Sequence, residues 1–570
     1  MIISDIKNGK RIDAATYALE VTADAISVIL AGEEVANLRP ASAVNTVAGG
    51  DVKLDTVPGK IGFAVSDDGT AFTWTAKSEC WDKTEYVLRA FESHAEYFVR
   101  VHGKGDVERV DYFIGKIAEH GAGSCYEFDT GYYPVPTVTG AKQCEFSAQF
   151  NYEEFSYLTV PPMFCYTFDI CGMEPKLALA LAAKKGEHNF TYFNYKTENH
   201  NFHNRFWLTT DQSGHTTVDG TWETPAILIY GAPSRKAAMK YYSDYYFAAG
   251  IAKAKDPAEK KPRFWYGPMA CGWIEQAAWQ IKQNIPRGAA DMAYQPLYDH
   301  FNEELARRDL HPKLMIIDDK WQSTYGGAEI NLEKWPDLRG WIDMNLEKND
   351  RRIMLWYKLW DAEGLPDEMC MIDSENGNRF ADPTNPKYQA YLRETMHRLL
   401  SSDEGCANAW GLKLDYAFMQ PTGRNIKSYG GKFGVELYLE LIRLIYTYAK
   451  EAKPEAIISG SPCHPLFAEY IDHARLHDYY PSLRRCIEEF TFRKEIYEIA
   501  MPGVLFDTDG AAFTSHRDTM RYMMLAPTIG IPDLYCITDM PPITLTDEDW
   551  AKVAAVWREY EAKIDAFVKD

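Results

Sequence analysis

Long apolar runs are missing from this sequence. No stretch reaches about 18 consecutive apolar residues, which excludes an ordinary membrane-spanning helix. The opening MIISDIKNGKRIDAA lacks the apolar h-region of a secretory signal. Regular cysteine spacing is also absent: eleven Cys stand scattered and odd in number, without repeated CxxC. The expectation is therefore reduced thiols in a cytoplasmic protein. No GxGxxG or P-loop pattern occurs, so a nucleotide cofactor has no support. Positive charge is scarce, 61 Lys and Arg against 82 Asp and Glu, for a net charge of −21. A nucleic-acid backbone or an anionic membrane would be repelled by that balance, and polyanionic polysaccharides are disfavoured. Internal repeats and low-complexity tracts are not evident.

What is present is a chain of 570 residues, too long for one core. Its 46% hydrophobic and 25% charged residues are ordinary for a globular protein. Aromatics are high at 14%, with 15 Trp and 36 Tyr, which suits a large β-rich core and also sites that stack on sugar faces. Residues 1–235 read as strands: YALEVTADAISVILAG, IGFAVSDDGTAFTWTA, EYFVRVHG and TPAILIYG alternate apolar and polar positions between turn residues. This pattern predicts an N-terminal antiparallel β-sandwich. SRKAAMKYYSDYYFAAG and the charged AKAKDPAEKKPR form a helical linker over 236–263.

From 264 to 570 short apolar runs alternate with amphipathic helical stretches, the rhythm of βα units. Eight strand candidates stand at 264–271, 313–318, 352–357, 411–415, 456–460, 473–478, 503–507 and 532–537. Eight units in about 300 residues predict a (β/α)8 TIM barrel, with a doubly wound sheet as the competitor. In such a barrel the working residues lie at the C-terminal ends of the strands. Read in order, those ends carry Cys271 to Trp273, Asp318 to Trp321, Trp356 to Trp360, Lys413 and Asp415, Ser459 to Cys463, Arg475 and Asp478, Asp507 to Asp509, and Asp533 to Thr538. So many charges at strand ends must pair or face a cleft. The aspartates ending GLKLD and ARLHD, Asp415 and Asp478, would meet at one rim. Two such carboxylates are the equipment for cleaving a glycosidic bond.

These residues resemble a family. LMIIDDKWQ is similar to the Ile-Asp-Asp-Gly-Trp motif of glycoside hydrolase family 36, the melibiase-like α-galactosidases, and of the related family 27. GLKLDYAF resembles the Lys-x-Asp motif that carries their nucleophile, and HARLHDYYP the segment ending in their acid/base aspartate. FADPTNPKYQAYL and LFDTDG are weaker likenesses in the same order, and the match covers roughly 264–540. The resemblance implies a retaining, exo-acting α-glycosidase working by double displacement, with Asp415 as nucleophile and Asp478 as acid/base. It places Asp318, Asp319, Lys413 and Arg475 on sugar hydroxyls, and Trp273, Trp321, Trp356 and Cys463 on the pocket wall. Lys413 and Arg475 would keep Asp415 ionised, whereas Asp478 must hold a proton near neutral pH, a difference of roughly 4 kcal/mol from its ordinary behaviour. Retention requires the two carboxyl groups about 5–6 Å apart. An oligosaccharide or glycoside is the expected partner, with no cofactor and no metal. Family members often assemble through the sandwich, which leaves a homo-oligomer open.

Some residues depart from the pattern. Lys320 replaces the usual Gly, His477 precedes the acid/base, Lys358, Trp360 and Asp361 alter the third strand's exit, and only about 30 residues follow the eighth strand. The same machinery on another sugar, an α-N-acetylgalactosaminide, is therefore an alternative, as are a transglycosylase and a non-catalytic carbohydrate-binding homologue. Asp472, His473, His477 and Asp478 also permit a metal-phosphohydrolase reading, though two His four apart suit a helix rather than a strand. His200 and His203 read as loop residues, and Cys463 in GSPCH has no base nearby.

Overall fold

The architecture comes from a computed structural model that describes residues 1–55, 62–113, 116–117, 121–122, 124–126, 136–137, 161, 163–168, 175–200, 203–476, 483–509, 515–534, 536–539 and 544–569. Alternation in the N-terminal sequence becomes two large antiparallel sheets and a two-stranded one, Lys116–Ile117 with Gly121–Ala122. The first is a five-stranded meander running from Ile2–Ile6 to Glu33–Leu38. The second is a larger, 13-stranded sheet built on the long strands Ala95–Tyr112 and His203–Glu223, which pair antiparallel. In Ala18–Thr22 the period of two buries Leu19 and Val21, and in Ala71–Ala76 it buries Phe72 and Trp74. Side chains from both sheets join one core. Among the described residues no helix is long and apolar enough to cross a membrane.

The second half of the chain forms eight parallel strands: Met269–Cys271, Leu314–Ile317, Arg352–Lys358, Gly411–Asp415, Ile457–Gly460, His473–Arg475, Leu505–Asp507 and Asp533–Leu534. Each falls on one of the eight apolar runs read from the sequence, the third running one residue further, to Lys358. They pair in order from first to seventh, and the eighth pairs with the first. A single bridge between Asp507 and Ile531 joins the seventh strand to the eighth, so the barrel is nearly closed.

The helices repeat less regularly than the strands. Between the fifth and sixth strands the chain makes only the 3₁₀ turn Pro465–Phe467. The helix Arg235–Ala248, which follows the sheets, packs beside that turn. Its Tyr242 hydroxyl lies 2.7 Å from Leu181 O and 2.9 Å from His464 Nε2, joining sheet and barrel. Just before the sixth strand, Asp472 is buried and gripped by two lysines. Lys255 from the segment after that helix reaches Oδ1 at 2.7 Å, and Lys450 from the helix Gly434–Ala452 reaches Oδ2 at 2.8 Å.

Sheet and barrel also meet where the helix Gly434–Ala452 begins. An α-helix leaves its first N–H groups without internal partners. Here the sheet region supplies them: Phe190 O accepts from Val435 N at 3.0 Å and His188 O accepts from Glu436 N at 3.1 Å. Glu436 Oε1 accepts in return from His188 N at 3.1 Å. Gly434 sits at φ +55°, and a Cβ there would stand 2.0 Å from Phe190 O. Gly434→Ala meets both the left-handed backbone and that backbone oxygen, so it is expected to destabilise by about 2 kcal/mol or more. Chemical denaturation of the variant beside wild type measures this, and an unchanged midpoint would refute it.

Candidate active site

Alternation along the barrel strands sends every second residue inward. The lower interior is apolar, with Met269, Leu314, Ile316, Met354, Ile457 and Ile531 in one cluster. Toward the C-terminal ends of the strands the chemistry changes to Asp318, Trp356, Lys413, Asp415, Arg475 and Asp507. The site therefore rests on a dry floor, at the end of the strands where the sequence placed it.

Asp415 is the last residue of the fourth strand and keeps one-fifth of its side chain exposed. Three donors hold its carboxylate. Trp356 Nε1 reaches Oδ2 at 3.0 Å, while Arg475 Nη1 at 3.3 Å and the Tyr416 amide at 2.9 Å reach Oδ1. Tyr416 adopts a left-handed φ of 62°, the backbone turn from which its N–H meets the preceding carboxylate. Burial alone would raise the Asp415 carboxyl. Arg475, Lys413 and the hydrogen bonds outweigh it and hold the group below its usual range. Asp415 is thus anionic, oriented and open to solvent, as a nucleophile must be.

Lys413, two residues earlier, points across the barrel to Asp318 Oδ2 at 2.8 Å, and Cys271 Sγ donates to the same oxygen at 3.1 Å. Lys413 and Asp318 are both buried. Burial works against the ammonium, but the charge of Asp318 raises it well above its ordinary value, so it stays protonated. Beside this pair, Asp319 accepts from the Tyr325 hydroxyl at 2.9 Å. Burial, reinforced by Asp318 and Asp415, lifts the Asp319 carboxyl to about 6. Between the unfolded value of about 3.9 and this folded value, the native state holds a proton that the unfolded chain has lost. Stability contributed by this group therefore falls as pH rises from about 4 to 6 and stays low above. Asp319→Asn keeps an acceptor for Tyr325 and removes that cost, so it should stabilise by about 2–3 kcal/mol at pH 7 and by little at pH 4. Thermal unfolding at the two pH values checks this, and equal shifts at both would refute it.

Several residues read from the sequence stand elsewhere. Trp321 has no exposed surface, and its Nε1 donates to Trp356 O at 2.8 Å, so it supports the wall from behind. Cys463 is likewise fully buried, with burial raising its thiol, and it lines no accessible surface. Trp356 is 1% exposed and serves Asp415 as a hydrogen-bond donor rather than as a stacking face. Trp273 is half-buried in the first turn of Gly272–Lys282, against the apolar floor cluster. Lys320 turns to Glu363 at 2.7 Å and lies 3.6 Å over the Tyr325 ring. Asp472 is engaged by two lysines, which speaks against the phosphohydrolase reading. Asp478 and His477 lie outside the described residues, as do the side chains of His200 and His203.

Tyr325 and Tyr416 were missed by sequence reasoning. Their rings flank Trp356 at 5.7 and 5.9 Å, and Lys358 sits over both, at 4.2 and 4.9 Å. Tyr416 follows the nucleophile candidate directly and was legible as a neighbour. Tyr325 lies in a loop whose approach only the fold reveals.

No family model matches this chain, and no curated protein matches its sequence. Solved structures do match it in shape. The GH31 family sulfoquinovosidase from E. rectale aligns with a TM-score of 0.60 at 11% identity, covering 97% of this chain and 84% of that one. A quadruple mutant of the α-N-acetylgalactosaminidase of Bifidobacterium bifidum aligns at 0.58 and 10% identity, covering 97% and 93%. The cycloalternan-forming enzyme of Listeria monocytogenes aligns at 0.51 and 11% identity, covering 98% of this chain but only 58% of that one. The chain therefore shares the fold of these carbohydrate-active enzymes, antiparallel sheets followed by a nearly closed eight-stranded parallel barrel.

Proposed function

We propose that the protein is a retaining, exo-acting α-glycosidase, most similar in its site to the α-galactosidases. The observation that carries this reading is Asp415: a strand-end carboxylate, held anionic by Arg475 and Lys413 and oriented by Trp356. Asp415 attacks the anomeric carbon while Asp478 protonates the leaving oxygen, giving a glycosyl ester. Asp478 then deprotonates a water that attacks the same carbon and frees Asp415. Asp318 and Asp319 receive the sugar hydroxyls, and the raised carboxyl of Asp319 suits a shared proton there. The B. bifidum neighbour's name favours a second reading on the same machinery, an α-N-acetylgalactosaminide substrate.

Wild-type protein offered p-nitrophenyl α-galactoside, α-N-acetylgalactosaminide, α-glucoside and β-galactoside tests both readings. Cleavage of an α-galacto substrate with the α-sugar released first, followed by NMR, is expected. Initial release of the β-sugar would overturn retention. Sugar binding without cleavage of any α-glycoside would make the protein a carbohydrate-binding homologue.

A further inference from the structure

Behind Arg475 lies a second group of carboxylates. Asp507 ends the seventh strand, Asp509 follows two residues on, and Asp533 opens the eighth. An oxygen from each lies within 4.8 Å of the others, and all three residues are buried. Asp507 Oδ1 accepts from the Asp509 amide at 2.8 Å, and Asp509 Oδ2 accepts from Arg475 Nη2 at 2.9 Å. Asp533 comes from a separate strand and is 6% exposed, yet among the described residues neither of its carboxylate oxygens has a hydrogen-bond donor. Asp507 Oδ2 and Asp509 Oδ1 also lack one. Four buried carboxylate oxygens of this trio thus lack donors among the described residues, and buried polar groups in folded proteins are generally hydrogen-bonded.

Charge sharpens the point. Three carboxylates face two cations, Arg475 and Lys413, and these are already engaged by Asp415 and Asp318. Isolated carboxylates are expensive away from water unless they are paired or coordinate a metal. We propose that Asp507, Asp509 and Asp533 bind one hard divalent cation, Ca²⁺ or Mg²⁺, through an oxygen of each. An all-oxygen carboxylate set is the donor chemistry of those ions, and oxygens within 4.8 Å of one another are close enough to share one cation with bonds of about 2.4 Å. Burial, with the charges of its two neighbours, pushes Asp533 well above the ordinary carboxyl range and Asp507 to about 7, so the trio is costly to ionise on its own. The cation acts on the rim indirectly: Asp509 holds one arm of Arg475, whose other arm holds Asp415. It is a positioning site and rests on none of the chemistry proposed for Asp415.

The test uses the full chain, stripped with EDTA and dialysed into metal-free buffer. Calorimetric titration with CaCl2, and separately with MgCl2, is expected to show one ion per chain, confirmed by atomic emission. A saturating addition should raise Tm by about 2–5 °C. Asp533→Asn and Asp507→Asn should each lose that rise, while KCl at equal ionic strength should not produce it. The two cation arms identify which ion is held. Absence of a stoichiometric ion and of a Tm shift in wild type overturns the proposal, as does a shift that persists in both variants. If the variants fail to fold, crystals of wild type soaked in CaCl2 decide by anomalous density at the three carboxylates, and its absence there overturns the site.

Discussion

Asp415→Ala is expected to lower kcat/KM on an aryl α-glycoside by about 10⁴-fold or more, equivalent to roughly 5.5 kcal/mol of transition-state stabilisation. The fold should survive, because the side chain is partly exposed and its loss leaves donors that water can satisfy. A fold defect and a missing nucleophile are separated by adding sodium azide. Azide entering the vacated space attacks the anomeric carbon from the face the carboxylate used, and the phenolate leaves, giving the β-glycosyl azide. Recovery of that product by NMR identifies Asp415 as the nucleophile. Full activity of Asp415→Ala would refute the assignment. Trp356→Phe should be milder, about 10-fold, since it removes one of three donors to the carboxylate.

The largest loss of stability is expected at Asp472, remote from the chemistry. Its carboxylate is buried, answers two lysines, and accepts from the Ile458 amide at 3.0 Å. Asp472→Ala leaves both ammonium groups without their anion, and breaking a buried ion pair from one side costs about 3–5 kcal/mol. Burial would raise the Asp472 carboxyl, but Lys255 and Lys450 hold it below its usual value. Its contribution is thus present above the unfolded value of about 3.9 and lost as pH falls through the lower folded value. One carboxylate shared by two lysines is less favourable for the lysines. Burial, with Lys450 nearby, lowers Lys255 despite the attraction of Asp472. Replacing all three by Leu, Met and Met should recover much of the lost stability, because apolar groups leave no charge stranded. Equilibrium unfolding of the single and triple variants measures both effects. A single variant as stable as wild type would refute the first.

The eight strands were legible because each is a short apolar run set between amphipathic helical stretches, and several of them end in a charge. GLKLD shows this within five residues: Leu412 and Leu414 pack outward while Lys413 and Asp415 face in. The missing fifth helix was not legible, because its place is taken by a helix some 220 residues earlier in the chain, and no local pattern records such a substitution. Within the site, Asp318, Asp319, Lys413, Asp415 and Arg475 converge as strand-end reasoning requires. Trp321 and Cys463 do not reach the wall, since a strand end says which rim a residue is near but not which way a loop turns its side chain. The carboxylates of Asp507, Asp509 and Asp533 were visible as strand-end charges. Their convergence was not, because it depends on how the seventh and eighth strands meet at barrel closure.

The junction between Gly434 and residues 188–190 bears on how the chain comes to be folded. Synthesis from the N-terminus releases the sheet region first. The carbonyls of His188 and Phe190 are therefore made before the segment after Gly434, whose amides they accept in the folded chain. In the folded chain the fourth unit's helix thus begins on carbonyls of the sheet region. A barrel expressed alone would have to nucleate that helix with its first amides unanswered.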